Sequence, residues 1–332
     1  MGCNRDMTQP PLPTFADVRA AAGRLSGHAV RTPLLSCPAL DALTGGRVRL
    51  KAEPLQRTGS FKFRGAWNAL SKLDADERAR GVVAFSSGNH AQGVAEAARL
   101  LGMKATIVMP SDAPGIKQRG VIARGAELRL YNRDTESREA IAAEVSAVTG
   151  AVIIPAFDHP DIIAGQGTAG LEIFETLSDE GLSADRLICC VGGGGLIGGI
   201  NLAAGALSPD TQIWGVEPDG FDDTARSLVS GRRESNARRS GSLCDALLSE
   251  SPGVLTFAIN QPRLTGVAVI SDNEALGAMR FAFEHLKIVL EPGGAAALAA
   301  VLAGRVDVSD GLSVVVLSGG NVEPELFARA LA

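Results

Sequence analysis

The sequence predicts an α/β protein whose mostly parallel sheets are covered by helices on both faces. Two observations carry this. Short β-branched or apolar runs alternate along the chain with Ala/Leu/Glu-rich segments of helical period. The runs are also continuous rather than alternating with polar residues, the mark of strands buried on both faces.

The expected strands, in order, are RVRLKAE (47–53), GVVAFSS (81–87), KATIVMP (104–110), ELRLYN (127–132), AVIIPA (151–156), RLICCV (186–191), QIWGVE (212–217), VAVIS (267–271) and SVVVLSG (313–319). Helices lie between them. AQGVAEAARLLG (91–102) and SREAIAAEVSAVTG (137–150) show the pattern, and the second ends at a glycine stop. The block 81–150 is a compact β-α-β-α-β-α series, able to form a small domain inserted in the chain. The expected boundaries are therefore 73–152 for the small domain, with 1–72 and 153–332 forming the larger one.

Composition narrows the class. With 332 residues, 45% of them hydrophobic, the chain can bury a sizeable core. A formal net charge of −5 gives no reason to expect nucleic acid or an anionic membrane as partner. Thirty-nine glycines against one tyrosine suit tight turns and small-residue packing. The cysteines Cys3, Cys37, Cys189, Cys190 and Cys244 form no C-x-x-C pair, so free thiols in a reducing cytoplasm are expected. The apolar stretch AAALAAVLAG is too short to span a membrane.

The chemistry is carried by four glycine- and serine-rich stretches. VGGGGLIGGI (191–200) has G-x-G-x-x-G spacing, with Glu217 about 20 residues on, where a dinucleotide fold places its ribose acid. A nicotinamide enzyme is therefore one reading, and its glycine amides can equally wrap a monophosphate. In KAEPLQRTGSFKFRGAWNAL (51–70), Lys62 stands at the start of an amphipathic helix. The positive helix end and partial desolvation would lower its pKa and equip it to form a Schiff base with a carbonyl cofactor. The alternative is a surface lysine beside an ordinary N-cap, Ser60. In AFSSGNHAQGVA, the residues Ser87, Gly88, Asn89 and His90 open a helix whose free amides suit a carboxylate. In VVVLSGGNVEP, Ser318 at a strand end could meet a heteroaromatic nitrogen.

Taken together, K-x-E-x-x-Q-x-T-G-S-F-K-x-R-G-A, S-S-G-N-H-A-Q-G, I-A-G-Q-G-T, V-G-G-G-G-L, L-E-P-G-G-A and L-S-G-G-N occur in one order from about Arg31 to Asn321. This array resembles the threonine/serine dehydratase and serine racemase family of pyridoxal-phosphate enzymes. The resemblance implies fold type II, similar to the tryptophan synthase β chain, with two three-layer αβα domains. It implies that Lys62 bonds pyridoxal 5′-phosphate and that Phe61 lies against the cofactor ring. Asn89 would bond the ring hydroxyl, Gly192, Gly193, Gly194 and Gly195 would cradle the phosphate, and Ser318 would face the ring nitrogen. Glu291, in L-E-P-G-G-A, joins the cofactor site. Ser87, Gly88, Asn89 and His90 would take the substrate carboxylate, and Ser87 matches the serine that moves a proton in racemases.

Further residues follow from the same likeness. Glu217, Asp223 and the Phe221 carbonyl match a divalent-cation site, with hard oxygen ligands suited to Mg²⁺, Mn²⁺ or Ca²⁺. Arg138 and Ser249 match substrate-contacting residues, and Arg138 could clamp a second carboxylate. The family usually has Ala-Asp-Gly where this chain has Cys244-Asp245-Ala246, so a methyl is added beside the substrate pocket. The activity implied is β-elimination from L-threonine or L-serine to a 2-oxo acid and ammonia. The alternatives are 3-hydroxyaspartate as substrate, or serine or aspartate racemisation. A homodimer or homotetramer is expected, with a small amino acid as the only partner.

Overall fold

The computed structural model describes residues 10–86 and 88–332. Among the described residues, ten strands form two sheets. The strands are β1 (Leu34–Ser36), β2 (Arg47–Ala52), β3 (Val82–Phe85), β4 (Ala105–Pro110), β5 (Glu127–Tyr131), β6 (Val152–Ile153), β7 (Arg186–Cys190), β8 (Gln212–Pro218), β9 (Leu264–Ile270) and β10 (Leu312–Leu317). The larger sheet runs β1-β2-β10-β7-β8-β9 and the smaller β5-β4-β3-β6. Every pairing between these strands is parallel except β1 with β2. The nine apolar runs all become strands; β1 is extra, a three-residue antiparallel edge.

The helices are α1 (Phe15–Leu25), α2 (Pro38–Thr44), α3 (Lys62–Ser71), α4 (Ala75–Arg80), α5 (Asn89–Leu100), α6 (Gly115–Ile122), α7 (Arg138–Thr149), α8 (Pro160–Asp179), α9 (Gly195–Leu207), α10 (Asp223–Ser230), α11 (Val254–Asn260), α12 (Asp272–Phe281), α13 (Pro292–Leu302) and α14 (Pro324–Leu331). Their ends follow local chemistry. Ser137 Oγ accepts from Ala140 N at 3.2 Å to start α7, and Gly150, at φ 73°, stops it in the left-handed region. The central strands of the larger sheet are dry: every residue of β10 is buried, as are four of five in β7.

Glycines set the closest helix packing. A Cβ on Gly165 would lie 2.6 Å from Gly65 Cα, and one on Gly199 would lie 2.4 Å from Gly167 N. The backbones of α3, α8 and α9 therefore touch, with α8 in the middle. Beneath α3 sits a buried ion cluster. Arg64 and Glu53, both 0% exposed, make a two-pronged pair at 2.8 Å each. Arg64 also holds Glu172 at 2.6 and 2.8 Å, and Lys51 donates to Glu172 at 2.5 Å. Parallel sheets present ligands at the carboxyl ends of their strands, and Gly88 and Asn89, the glycines from Gly192 to Gly195, and Ser318 follow the ends of β3, β7 and β10.

Candidate active site

Lys62 opens α3. Its ammonium donates to Ala156 O at 2.9 Å and stands 5.2 Å from the centroid of the Phe61 ring. Burial pulls it down to about 8, against the opposing effect of Cys190 and Glu291. A lysine held there can serve as nucleophile and as base near neutral pH. Ser60 is not an N-cap: it is fully buried, and its hydroxyl has no partner among the described residues.

The loop after β3 leads into α5, which packs against the start of this lysine's helix: a Cβ on Gly93 would lie 3.1 Å from Lys62 C. Ser87 lies outside the described residues. Gly88 precedes α5 without any side-chain cap, leaving first-turn amides free for an anion. Asn89 donates to Glu291 Oε1 and accepts from Asn321 Nδ2 at 2.8 Å. His90 is 1% exposed and donates through Nε2 to Ile154 O at 3.1 Å. Burial drives its pKa down to about 3, so the ring is neutral and turned toward the backbone.

One residue here carried no signal in the sequence. Lys117, in GIKQRG of α6, is 3% exposed and lies over Gly88, where a Cβ would meet its Cδ at 2.6 Å. Its Nζ is 2.7 Å from Asp245 Oδ2 and 3.4 Å from Glu291 Oε2. Burial opposes its charge, but Glu291 and Asp245 outweigh that and hold the ammonium above its usual value. Only its burial between two carboxylates picks it out; a lysine in a helix is ordinarily solvated. Next to Asp245, Ala246 borders the glycine loop, with its Cβ 3.2 Å from where a Cβ on Gly293 would be.

The glycine loop leaves β7 and enters α9. Gly192 and Gly194 hold φ of 54° and 88°, a region glycine enters without penalty. Gly194 is the N-cap and Gly195 the first helical residue, again with no side-chain cap. Thr256 Oγ1 donates to Gly193 O at 2.7 Å and Asn260 Nδ2 to Gly194 O at 3.2 Å, so the carbonyls are tied back. The Phe157 ring presses on the loop, 2.4 Å from where a Cβ on Gly193 would be. Across the sheet, Ser318 follows β10 at 5% exposure, its carbonyl accepting from Phe61 N at 3.2 Å.

The acidic pair sits apart, Glu217 near the end of β8 and Asp223 at the start of α10. Glu217 accepts from the Thr224 and Ala225 amides at 3.1 and 3.0 Å. Asp223 Oδ1 accepts from Asn236 Nδ2 at 2.6 Å, while Asp223 Oδ2 is buried without a partner among the described residues. Burial pushes Glu217 up to about 8, with Asp223 adding to it, and pushes Asp223 up to about 6. Phe221 is 2% exposed in the turn between them. Ser249 reaches this pair only through its carbonyl, which accepts from Asn236 Nδ2 at 2.9 Å. Arg138 stands at the surface end of α7, donating to Glu139 at 2.7 Å and stacked 5.5 Å over the Phe85 ring.

The first group of residues fits pyridoxal phosphate. An uncapped helix start with glycines suits a phosphate, the Ser318 hydroxyl is buried at the end of β10, and Lys62 is desolvated. The comparisons agree. A family model described as pyridoxal-phosphate dependent enzyme matches residues 25–319. The chain is 44% identical over 320 residues to an L-threo-3-hydroxyaspartate ammonia-lyase from Pseudomonas sp, covering 96% of this chain and 99% of that one. Among solved structures, a threonine deaminase from T.th. superposes with a TM-score of 0.87 at 42% identity, covering 94% of this chain and 99% of that one. Maize serine racemase superposes with a TM-score of 0.90 at 34% identity, covering 97% of each chain. With a family match across most of its length and a relative 44% identical over 96% of it, this chain belongs to the pyridoxal-phosphate dependent enzymes.

Proposed function

We propose that the protein is an ammonia-lyase that removes water from a β-hydroxy-α-amino acid, with L-threonine and L-serine as its main substrates. The observation that carries this is Lys62, desolvated at the start of α3 with a pKa of about 8. Bound pyridoxal phosphate supplies the electron sink that lets the Cα–H and Cβ–O bonds break. The chain does the rest. Amides at the start of α5 hold the substrate carboxylate, and those at the start of α9 hold the phosphate. Lys62 Nζ removes the Cα proton and can return it to the departing hydroxyl. Phe61 flanks the ring, and Asn89, fixed by Glu291 and Asn321, reaches the ring hydroxyl. Elimination of water leaves an enamine, which hydrolyses to the 2-oxo acid and ammonia.

A second substrate, 3-hydroxyaspartate, is favoured by two observations. The Pseudomonas relative bears that name, and the buried cation Lys117 lies over Gly88. Ammonia and 2-oxo acid release should be measured for threonine, serine and the 3-hydroxyaspartate isomers. Arg138→Ala is expected to lose activity selectively on the acidic substrate, by about tenfold, one charge-assisted hydrogen bond's worth. Equal loss on threonine would remove Arg138 from substrate recognition. No release from any substrate by cofactor-loaded protein would overturn the lyase reading in favour of racemisation.

We further propose that Glu217, Asp223 and the Phe221 carbonyl hold a divalent cation. Two buried carboxylates raised in pKa, one with an unpartnered oxygen, are a site that a hard cation would satisfy. Saturating Mg²⁺, at about 100 times its Kd, contributes about 2.7 kcal/mol and should raise the melting temperature of chelator-treated protein by about 5 °C. Glu217→Gln should abolish the rise. No rise in the wild type with Mg²⁺, Mn²⁺ or Ca²⁺ would refute the site.

Residues 73–152 are proposed as an inserted unit within the body formed by 1–72 and 153–332. Support comes from the smaller sheet, built wholly of strands between Val82 and Ile153. A reducing cytoplasm is proposed from Cys37, Cys189, Cys190 and Cys244, all free and buried.

A further inference from the structure

Cys190 is the last residue of β7, 3% exposed, and its thiol donates to Ser318 Oγ across 3.3 Å. The contact is built into the sheet. β7 and β10 pair in parallel with Ile188 opposite Val315, so their carboxyl ends bring residue 190 beside residues 317 and 318. Ser318 is fixed at its backbone: its amide donates to Gly294 O at 3.2 Å and its carbonyl accepts from Phe61 N at 3.2 Å. Cys189, on the opposite face, donates its thiol to the Cys190 carbonyl at 3.3 Å. Cys190 therefore faces the candidate site.

A serine hydroxyl has one proton and two lone pairs. With a thiol proton on one lone pair, and sulfur a poor acceptor, the hydroxyl proton is left for a third group. We propose that Cys190 is a positioning residue, whose thiol occupies Ser318 Oγ and aims the hydroxyl proton at the ring nitrogen of bound pyridoxal phosphate. This rests on the reading in which Ser318 faces that nitrogen. The relay runs thiol to hydroxyl to nitrogen, so the nitrogen serves only as acceptor and stays unprotonated. Without the thiol, Ser318 can turn and accept from a protonated ring.

The test uses cofactor-loaded protein with an isotope-labelled ring nitrogen, read by nuclear magnetic resonance alongside kcat and KM. Cys190→Val should move the ring-nitrogen resonance toward its protonated position. It should also lower kcat about two- to tenfold, the size of one ordinary hydrogen bond, with KM nearly unchanged. Cys190→Ser, which keeps a donor, should restore both. A Cys190→Val resonance identical to the wild type would overturn the proposal and leave Cys190 a packing residue. Cys190→Ala serves the same comparison if valine disturbs β7. Ser318→Ala separates the two readings: a shift there but none in Cys190→Val sinks only the role of Cys190. No shift in Ser318→Ala sinks the reading of Ser318 itself.

Discussion

Replacing Lys62 by methionine is expected to abolish turnover while making the cofactor-free protein more stable. The rate loss follows because, among the described residues, Lys62 is the only desolvated amine beside the glycine loop whose charge no carboxylate holds at hydrogen-bond distance. Base catalysis alone contributes about 10²–10⁴-fold, and loss of the proposed covalent anchor for the cofactor adds to this. The gain in stability follows from the same burial. In the fold, Lys62 titrates at about 8, below the ordinary lysine value of 10.5. Below pH 8 the native protein thus carries an ammonium that burial disfavours, and a methionine relieves it.

One pKa unit corresponds to about 1.4 kcal/mol. Allowing for the lost bond to Ala156 O, the gain at neutral pH is about 1–3 kcal/mol. It should fade as pH rises from about 8, where native Lys62 loses its proton, to about 10.5, where the unfolded chain does. Denaturant unfolding of the cofactor-free wild type and variant at both ends of that range checks it. A variant less stable than the wild type at neutral pH would contradict the strained ammonium. Residual turnover would contradict the assignment of Lys62.

Arg64→Met is expected to destabilise the protein by about 3–5 kcal/mol, the usual result of stripping one partner from a buried ion network. Arg64 is fully buried and feeds five hydrogen bonds into Glu53, Glu172 and Thr168. Burial works against the Glu53 carboxylate, yet Arg64 holds it below the usual range. Without the guanidinium, Lys51 alone faces one buried and one partly buried carboxylate. Against a typical total of about 5–15 kcal/mol, this is a large share. Arg64→Lys should rescue little, because one ammonium cannot reproduce two forks. Replacing Arg64, Glu53 and Glu172 together by apolar residues should cost less than Arg64→Met alone. A loss under about 1 kcal/mol in a denaturant titration of Arg64→Met would refute the role.

Much of this was legible in the chain because buried parallel strands write themselves as apolar runs. RLICCV and SVVVLSG could hardly be anything else, and both are strands. The glycine loop and the Lys62 helix start were legible because they depend on local backbone chemistry. What stayed hidden depends on distant contacts. Leu34–Ser36 is a strand only because Lys51, Leu50 and Arg49 lie opposite it. Lys117 looks like any helix lysine until Asp245 and Glu291 close over it. The Cys190–Ser318 contact joins residues 128 positions apart, and nothing near either residue announces it.

The glycine contacts between α3, α8 and α9 bear on precision. Lys62 begins α3 and the phosphate-sized loop begins α9, and α8 lies between them, peptide against peptide at both faces. A side chain at such a joint could hop between rotamers and shift its neighbour by a few tenths of an ångström. Here no torsion softer than a helix backbone intervenes. The spacing from the first residue of α3 to the loop is thereby set by backbone contact rather than by rotamers, in keeping with the tolerance of about 0.5 Å that reacting groups require. The chain obtains that exactness by leaving atoms out.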